Sequence, residues 1–234
     1  MKNPGILLAF CAMALLTACG GSSSSLPQFY QGTYSNQATF YSTGYDTGAC
    51  SFGAQANTDI TAVSVPLYNN AAVCGAYIEV TGDKGTAIVK VIDECTGSTC
   101  DTTNQLDLSS TAYSTVTTST SGTANVSWKY VEAPIGTSPI VLYWGASLTQ
   151  YYLDVVVDVI RHPVAKVEVK DSSGSFIAMT RNSANHFSAS TSPNTFPNPV
   201  AIRITDMFGN QVEDTVTWGS GTTTTTTVQF PPYQ

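Results

Sequence analysis

From residue 30 onward the chain is built of short segments in which apolar and polar positions alternate with a period of two. Turns rich in Gly and Asp, such as Gly82-Asp83-Lys84-Gly85, separate them. That pattern predicts strands rather than amphipathic helices. In the first half, strands are expected over 37–41, 60–65, 76–81, 86–92 and 123–131. One helix is expected to begin near Leu108, with Ser109 or Ser110 as its N-cap and Ala112, Tyr113 and Val116 turned inward. After Pro134-Ile135-Gly136 a second all-β pattern starts. There Leu153, Val155, Val157 and Val159 alternate with Tyr152, Asp154, Val156 and Asp158, so that one face is wholly apolar. Further strands are expected over 164–169, 176–180, 187–190, 200–204 and 215–218, at the spacing of a β-sandwich. The Thr run 222–227 has high β-propensity and reads as a frayed terminal strand leading into Val228-Gln229-Phe230. No internal repeat is visible.

The first thirty residues follow a different rule. Lys2 precedes an apolar run over 6–16 that is too short to span a bilayer and reads as a signal peptide, residues 1–18. It ends in Leu16-Thr17-Ala18-Cys19, which resembles the lipobox of bacterial lipoproteins and implies lipidation of Cys19 and stable membrane anchoring. Residues 19–28, with Gly20-Gly21 and four serines, are then a flexible tether whose reach is about 30 Å when extended. By the same analogy, Gly20 in place of an Asp after the lipidated Cys favours the outer membrane of an exporting bacterium. Net charge is −7, with 9 basic and 16 acidic residues. This excludes the basic stripe that nucleic-acid binding requires. Low charge (11%) and abundant Thr, Ser, Val and Tyr argue against helical bundles and coiled coils.

Setting aside Cys11 in the signal peptide and Cys19, four cysteines remain: Cys50, Cys74, Cys95 and Cys100. Export makes disulfides the expected state, and four cysteines allow three pairings. Cys50–Cys74 with Cys95–Cys100 is the favoured one. A zinc site is the rival reading, but the spacings fit no zinc pattern and both histidines, His162 and His186, lie far along the chain. Neither metal nor cofactor is expected.

The ordered series Gln37-Ala38-Thr39-Phe40-Tyr41, Gly48-Ala49-Cys50, Cys74-Gly75-Ala76-Tyr77, Gly82-Asp83-Lys84-Gly85, Val91-Ile92-Asp93 and Leu106-Asp107-Leu108-Ser109 resembles the double-psi β-barrel of expansins and expansin-like proteins. Tyr151-Tyr152, Arg161-His162-Pro163, Asn185-His186-Phe187, Ile204-Thr205-Asp206 and Val228-Gln229-Phe230-Pro231 resemble the carbohydrate-binding module that follows it in that family. The resemblance implies an all-β fold: a six-stranded double-psi β-barrel over 29–134, then an immunoglobulin-like β-sandwich over 137–234. It also implies a monomeric, exported protein that loosens plant cell walls by binding cellulose and related β-glucans without hydrolysis. Asp107, Asp93 and Thr39 match the family's groove residues, Asp107 being the essential carboxylate. Tyr151 and Tyr152 match the aromatic pair of the binding face. Trp144 lies close to that strand and is counted with them, whereas Trp128 and Trp218 are expected in core or interface positions.

Hydrolysis needs two carboxylates flanking the scissile bond. Related endoglucanases place the base on the first strand, but no Asp or Glu occurs between Gln28 and Tyr45, so no catalytic residue is expected. Asp93, Asp107 and Glu94 keep glycan cleavage alive as an alternative. The lipid anchor likewise keeps a lytic transglycosylase of the rare lipoprotein A type in view, although the barrel segment lacks the His that family uses. Plainer roles compete as well: Asp107 as a helix cap, Asp93 as a turn former. Three departures from the family bear on affinity: Tyr-Tyr where Trp-Trp is common, Ala184 where a third aromatic usually precedes Asn-His-Phe, and Cys95 where an aromatic follows the groove Asp. They predict weaker cellulose binding than in typical relatives. The charge of −6 over 29–134 predicts poor retention on pectin-rich walls.

Overall fold

A computed structural model describes residues 30–232 apart from Asn57, Ser98, Thr99 and Asp101. The segments read from sequence as a signal peptide, a lipobox with Cys19 and a tether lie outside the described residues.

The first half closes on itself. Strands β1 (Tyr34–Tyr41), β2 (Ile60–Ser64), β3 (Tyr77–Thr81), β4 (Thr86–Cys95), β5 (Leu106–Ser109) and β6 (Ala124–Val131) form a closed barrel in the order β1-β5-β2-β4-β3-β6. The β1–β5 and β2–β4 pairs are parallel and the others antiparallel. Closure leaves no edge strand to protect. Its interior is filled by Ala38, Ile60, Val63, Ile78, Val80, Val89, Leu106 and Leu108, with Trp128 fully buried among them. Two helices lie against the barrel. Helix α1 (Val65–Tyr68) follows β2 without a break, Pro66 fitting its first turn. Helix α2 (Ser110–Val116) is capped by Ser109, whose Oγ accepts from the Ala112 N–H at 3.2 Å, and buries Ala112, Tyr113 and Val116 as expected. The expected helix start at Leu108 is two residues early, because Leu106–Ser109 is drawn into the barrel as β5. Cap duty therefore falls to Ser109 and leaves Asp107 free.

The second half is two antiparallel sheets. One has the order β10-β9-β13-β14, from β9 (Val164–Lys170), β10 (Phe176–Ala178), β13 (Val200–Asp206) and β14 (Gln211–Val216). The other has the order β11-β12-β8-β7-β15, from β7 (Val141–Trp144), β8 (Tyr152–Asp158), β11 (Thr180–Arg181), β12 (Phe187–Ser190) and β15 (Thr223–Thr225). A single apolar cluster joins them, with Leu142, Leu153, Val155 and Phe187 from one sheet and Val167, Val169, Ile202 and Ile204 from the other. The strand expected over 176–180 is split: buried Met179 separates β10 in one sheet from β11 in the other.

Barrel and sheets are tied by directed contacts. Lys90 Nζ meets Asp158 Oδ1 at 2.6 Å, and both side chains are nearly inaccessible. The Tyr68 hydroxyl donates to the Ser183 carbonyl at 2.6 Å, and the Asn185 amide donates to the Cys50 carbonyl at 3.2 Å. Arg161 pairs with Glu132 and also donates to the carbonyls of Phe230 and Gly136. Disulfides join Cys50 to Cys74 and Cys95 to Cys100, with Cα separations of 5.5 and 5.6 Å.

Candidate functional site

The barrel's register lines up one residue per strand. Thr39 on β1 pairs with Asp107 on β5, Asp107 pairs with Ala62 on β2, and Ala62 pairs with Asp93 on β4. A register shift in the β2–β4 pairing, where Ile92 is the extra residue on β4 opposite the Thr61–Ala62 step, brings Asp93 into the row. Backbones of Asp107 and Asp93 are thus two strand spacings apart, about 10 Å. The small Ala62 between them leaves the floor low. All three polar side chains predicted for a groove are brought together in this row, each half-buried.

Their environments differ. Asp93 Oδ1 accepts from the backbone N–H groups of Ala49 at 2.6 Å and Glu94 at 2.8 Å. Gly48 makes that possible: a Cβ there would lie 2.5 Å from the Ile92 carbonyl oxygen, so only a glycine lets the 48–50 loop lie against the end of β4. Among the described residues the Asp107 carboxylate has a single donor, Thr39 Oγ1, 2.6 Å from its Oδ1. Burial, reinforced by the charge of Asp93, holds its carboxyl above the ordinary 3.8 despite the opposing Thr39 bond. Tyr41, two residues beyond Thr39 and on the same side of β1, completes this surface. Its hydroxyl is buried without a partner among the described residues, and burial followed by the charges of Asp93 and Asp107 pushes its pKa up. Tyr45 packs edge-on against Tyr41, with ring centroids 5.0 Å apart, and donates to its carbonyl. Tyr41 was not among the residues expected here; the period of two from Thr39 was the signal for it.

The sheet half presents the tyrosines. Tyr151 and Tyr152 are 46% and 36% exposed. Trp144, counted with them from sequence, is instead 4% exposed and belongs to the apolar core, where its indole N–H donates to Thr224 Oγ1. Leu142 and Trp144 share the inward side of β7, which is why the indole cannot reach the outer face. Trp128 lies in the barrel core, as expected, and donates to the Asn104 carbonyl. The 182–186 loop is bonded to Cys50 and Tyr68 on the barrel side and continues into β12 beside β8, the strand that carries Tyr152. An apolar cleft of about 370 Å³ between the halves, lined by Leu67, Ala72, Tyr130 and Met207, shares no residue with either. Among the described residues no three His, Cys, Asp or Glu side chains converge as a metal site would require.

No family model matches the chain. Individual proteins do. Expansin-YoaJ of Bacillus subtilis (strain 168) is 31% identical over 218 residues, which is 90% of this chain and 89% of that protein. The chain belongs to the expansin family. Expansin-like protein 2 of Dictyostelium discoideum is 29% identical over 232 residues, covering 94% of this chain and 54% of the relative. Among solved structures, the apo expansin of Clavibacter michiganensis superposes with a TM-score of 0.76 at 27% identity, covering 86% of this chain and all of that one. A mutant of that expansin, in complex with cellohexaose, superposes equally well at 26% identity. The closed six-stranded barrel followed by further β-sheets is therefore an expansin architecture.

Proposed function

We propose that this protein binds cellulose and related β-glucans of the plant cell wall and loosens the wall without cleaving glycan. Thr39, Asp93, Asp107 and Tyr41 are the polar groove in this reading, and Tyr151 with Tyr152 is a stacking face on an immunoglobulin-like sandwich. The observation that carries it is the one-sided row of carboxylates. Asp107 and Asp93 stand two strands apart in one line, while β1 contributes Thr39 and Tyr41 and no acid that would flank a scissile bond from the other side. Family membership and the cellohexaose complex of the Clavibacter relative support the substrate class. In this reading the lipobox-like segment anchors an exported protein to the bacterial envelope, and the protein acts as a monomer.

A glycan-cleaving reading, as a lytic transglycosylase or endoglucanase-like enzyme, is favoured by one observation. Asp107 is held above the ordinary carboxyl range, as a general acid would be. One experiment separates the two. The protein and an Asp107→Ala partner are incubated with microcrystalline cellulose and with peptidoglycan, and binding and soluble sugar are measured together. Cellulose binding without sugar release is the expected outcome. Soluble fragments that vanish in the variant would make Asp107 a catalytic acid.

A further inference from the structure

The outer face of β8 and β12 carries polar chemistry that stacking does not use. Asp154 pairs across strands with Ser188 and Tyr152 with Ser190, and all four turn away from the core because Leu153, Val155, Phe187 and Ala189 are buried. His186, one residue before β12, reaches onto the same face and places Nδ1 2.6 Å from Asp154 Oδ1. The Tyr152 hydroxyl lies 3.4 Å from the other oxygen of Asp154. Gly145 on the neighbouring chain segment leaves room for that carboxylate: a Cβ there would lie 2.8 Å from Asp154 Oδ1.

The backbone under the imidazole is fixed from both halves of the molecule. The His186 N–H donates to Asn182 Oδ1, and its carbonyl accepts from the Asn182 N–H. On either side of Ala184, Ser183 and Asn185 are bonded to Tyr68 and Cys50 of the barrel. The ring itself is one-third exposed. A carboxylate on Nδ1 fixes the orientation of an imidazole and leaves Nε2, the other polar atom of the ring, for an outside partner. Among the described residues Nε2 takes no hydrogen bond.

A pyranose stacked on an aromatic ring lays its C–H face on that ring and directs its equatorial hydroxyls sideways, in its own plane. An imidazole beside the ring, with an unclaimed Nε2, is placed to meet one of them. We infer that His186, oriented by Asp154, is a hydroxyl-reading contact of the tyrosine face. The face then recognises a β-linked pyranose by a stack plus one directed hydrogen bond. This inference rests on the glycan-binding reading given above.

The chain has two histidines, so their ring signals are separable by NMR in the unmodified protein. Titration with cellohexaose is expected to shift the His186 signals. It should leave His162 still, because that ring is buried against Phe208 and Phe230. His186→Phe keeps a flat ring but removes Nε2, and is expected to weaken cellohexaose binding about 5–10-fold, the worth of one hydrogen bond. Asp154→Asn, which leaves an oxygen for Nδ1, is expected to weaken it less. Binding that leaves the His186 signals unmoved, or a folded His186→Phe protein that binds as tightly as the parent, overturns the inference and leaves the glycan reading standing. A parent protein that does not bind cellohexaose overturns both.

Discussion

Strand β8 carries two carboxylates on one face, and they meet opposite fates. Asp158, at the end of the strand, lies under the barrel and is paired with Lys90, which also donates to Gln55 Oε1 and stands 4.2 Å over the Phe52 ring. Asp154, four residues back, remains reachable and holds His186 beside Tyr152. Val156 between them marks the border: it points the same way, yet is 2% exposed and belongs to the barrel's apolar cluster. Strand alternation assigns all three to the outer face, but only docking of the barrel decides which part becomes interface and which remains a display surface. The open end inherits the rigidity of the covered end because the same backbone carries both.

The largest expected effect breaks the covered end. Asp158→Ala leaves the Lys90 ammonium buried without a counter-charge, held only by Gln55 and the Phe52 ring, and should cost about 3 kcal/mol in urea denaturation. Asp154→Ala, at the wetter pair, should cost less than about 1 kcal/mol. Equal losses would erase the contrast. The open end is probed by binding instead: Tyr152→Ala should weaken cellulose pull-down about tenfold through lost stacking while leaving urea stability nearly unchanged. A smaller effect sharpens the geometry. Gly145→Ala crowds the Asp154 carboxylate and should weaken cellohexaose binding about threefold, less than loss of the whole hydrogen bond. Titration calorimetry against the parent checks it.

Much of this layout was legible from residue patterns, and the gaps have physical reasons. Strand β12 and the inward face of α2 follow directly from alternation and helical spacing. Strand β5 was hidden because four residues, Leu106 to Ser109, are too few for a period to show, and they acquire strand structure only between β1 and β2. The first residues of β14 were missed because this edge strand carries exposed Gln211, Glu213 and Thr215. Helix α1 was absorbed into the strand before it, since Val65 continues the apolar run and only Pro66 marks the change. Thr39, Asp93 and Asp107 come from a family resemblance, whereas their alignment requires the register shift between β2 and β4 that no local pattern encodes. Asp154 and His186 are separated by 32 residues, and their meeting follows only from β8–β12 pairing.

Asp107 falls between the two fates on β8: it is half-covered, and among the described residues its carboxylate has no cation beside it and one hydroxyl as its donor. Its native pKa stands above the ordinary 3.8. The folded protein therefore binds this proton more tightly than the unfolded chain, and its carboxylate weakens the fold as pH rises from near that ordinary value through the raised native one. Asp107→Asn keeps an oxygen for Thr39 and removes the charge. It should stabilise the protein slightly at neutral pH, by less than about 1 kcal/mol because solvent still screens the site. The gain should shrink as pH is lowered and Asp107 itself becomes protonated. Thermal melts of both proteins from pH 3 to 8 check the sign, and an Asn variant less stable than the parent at pH 7 would mean that the ionised carboxylate is satisfied after all. In that case the groove would hold Asp107 as firmly as the barrel holds Asp158, and the weakly compensated acid at its centre would no longer distinguish it.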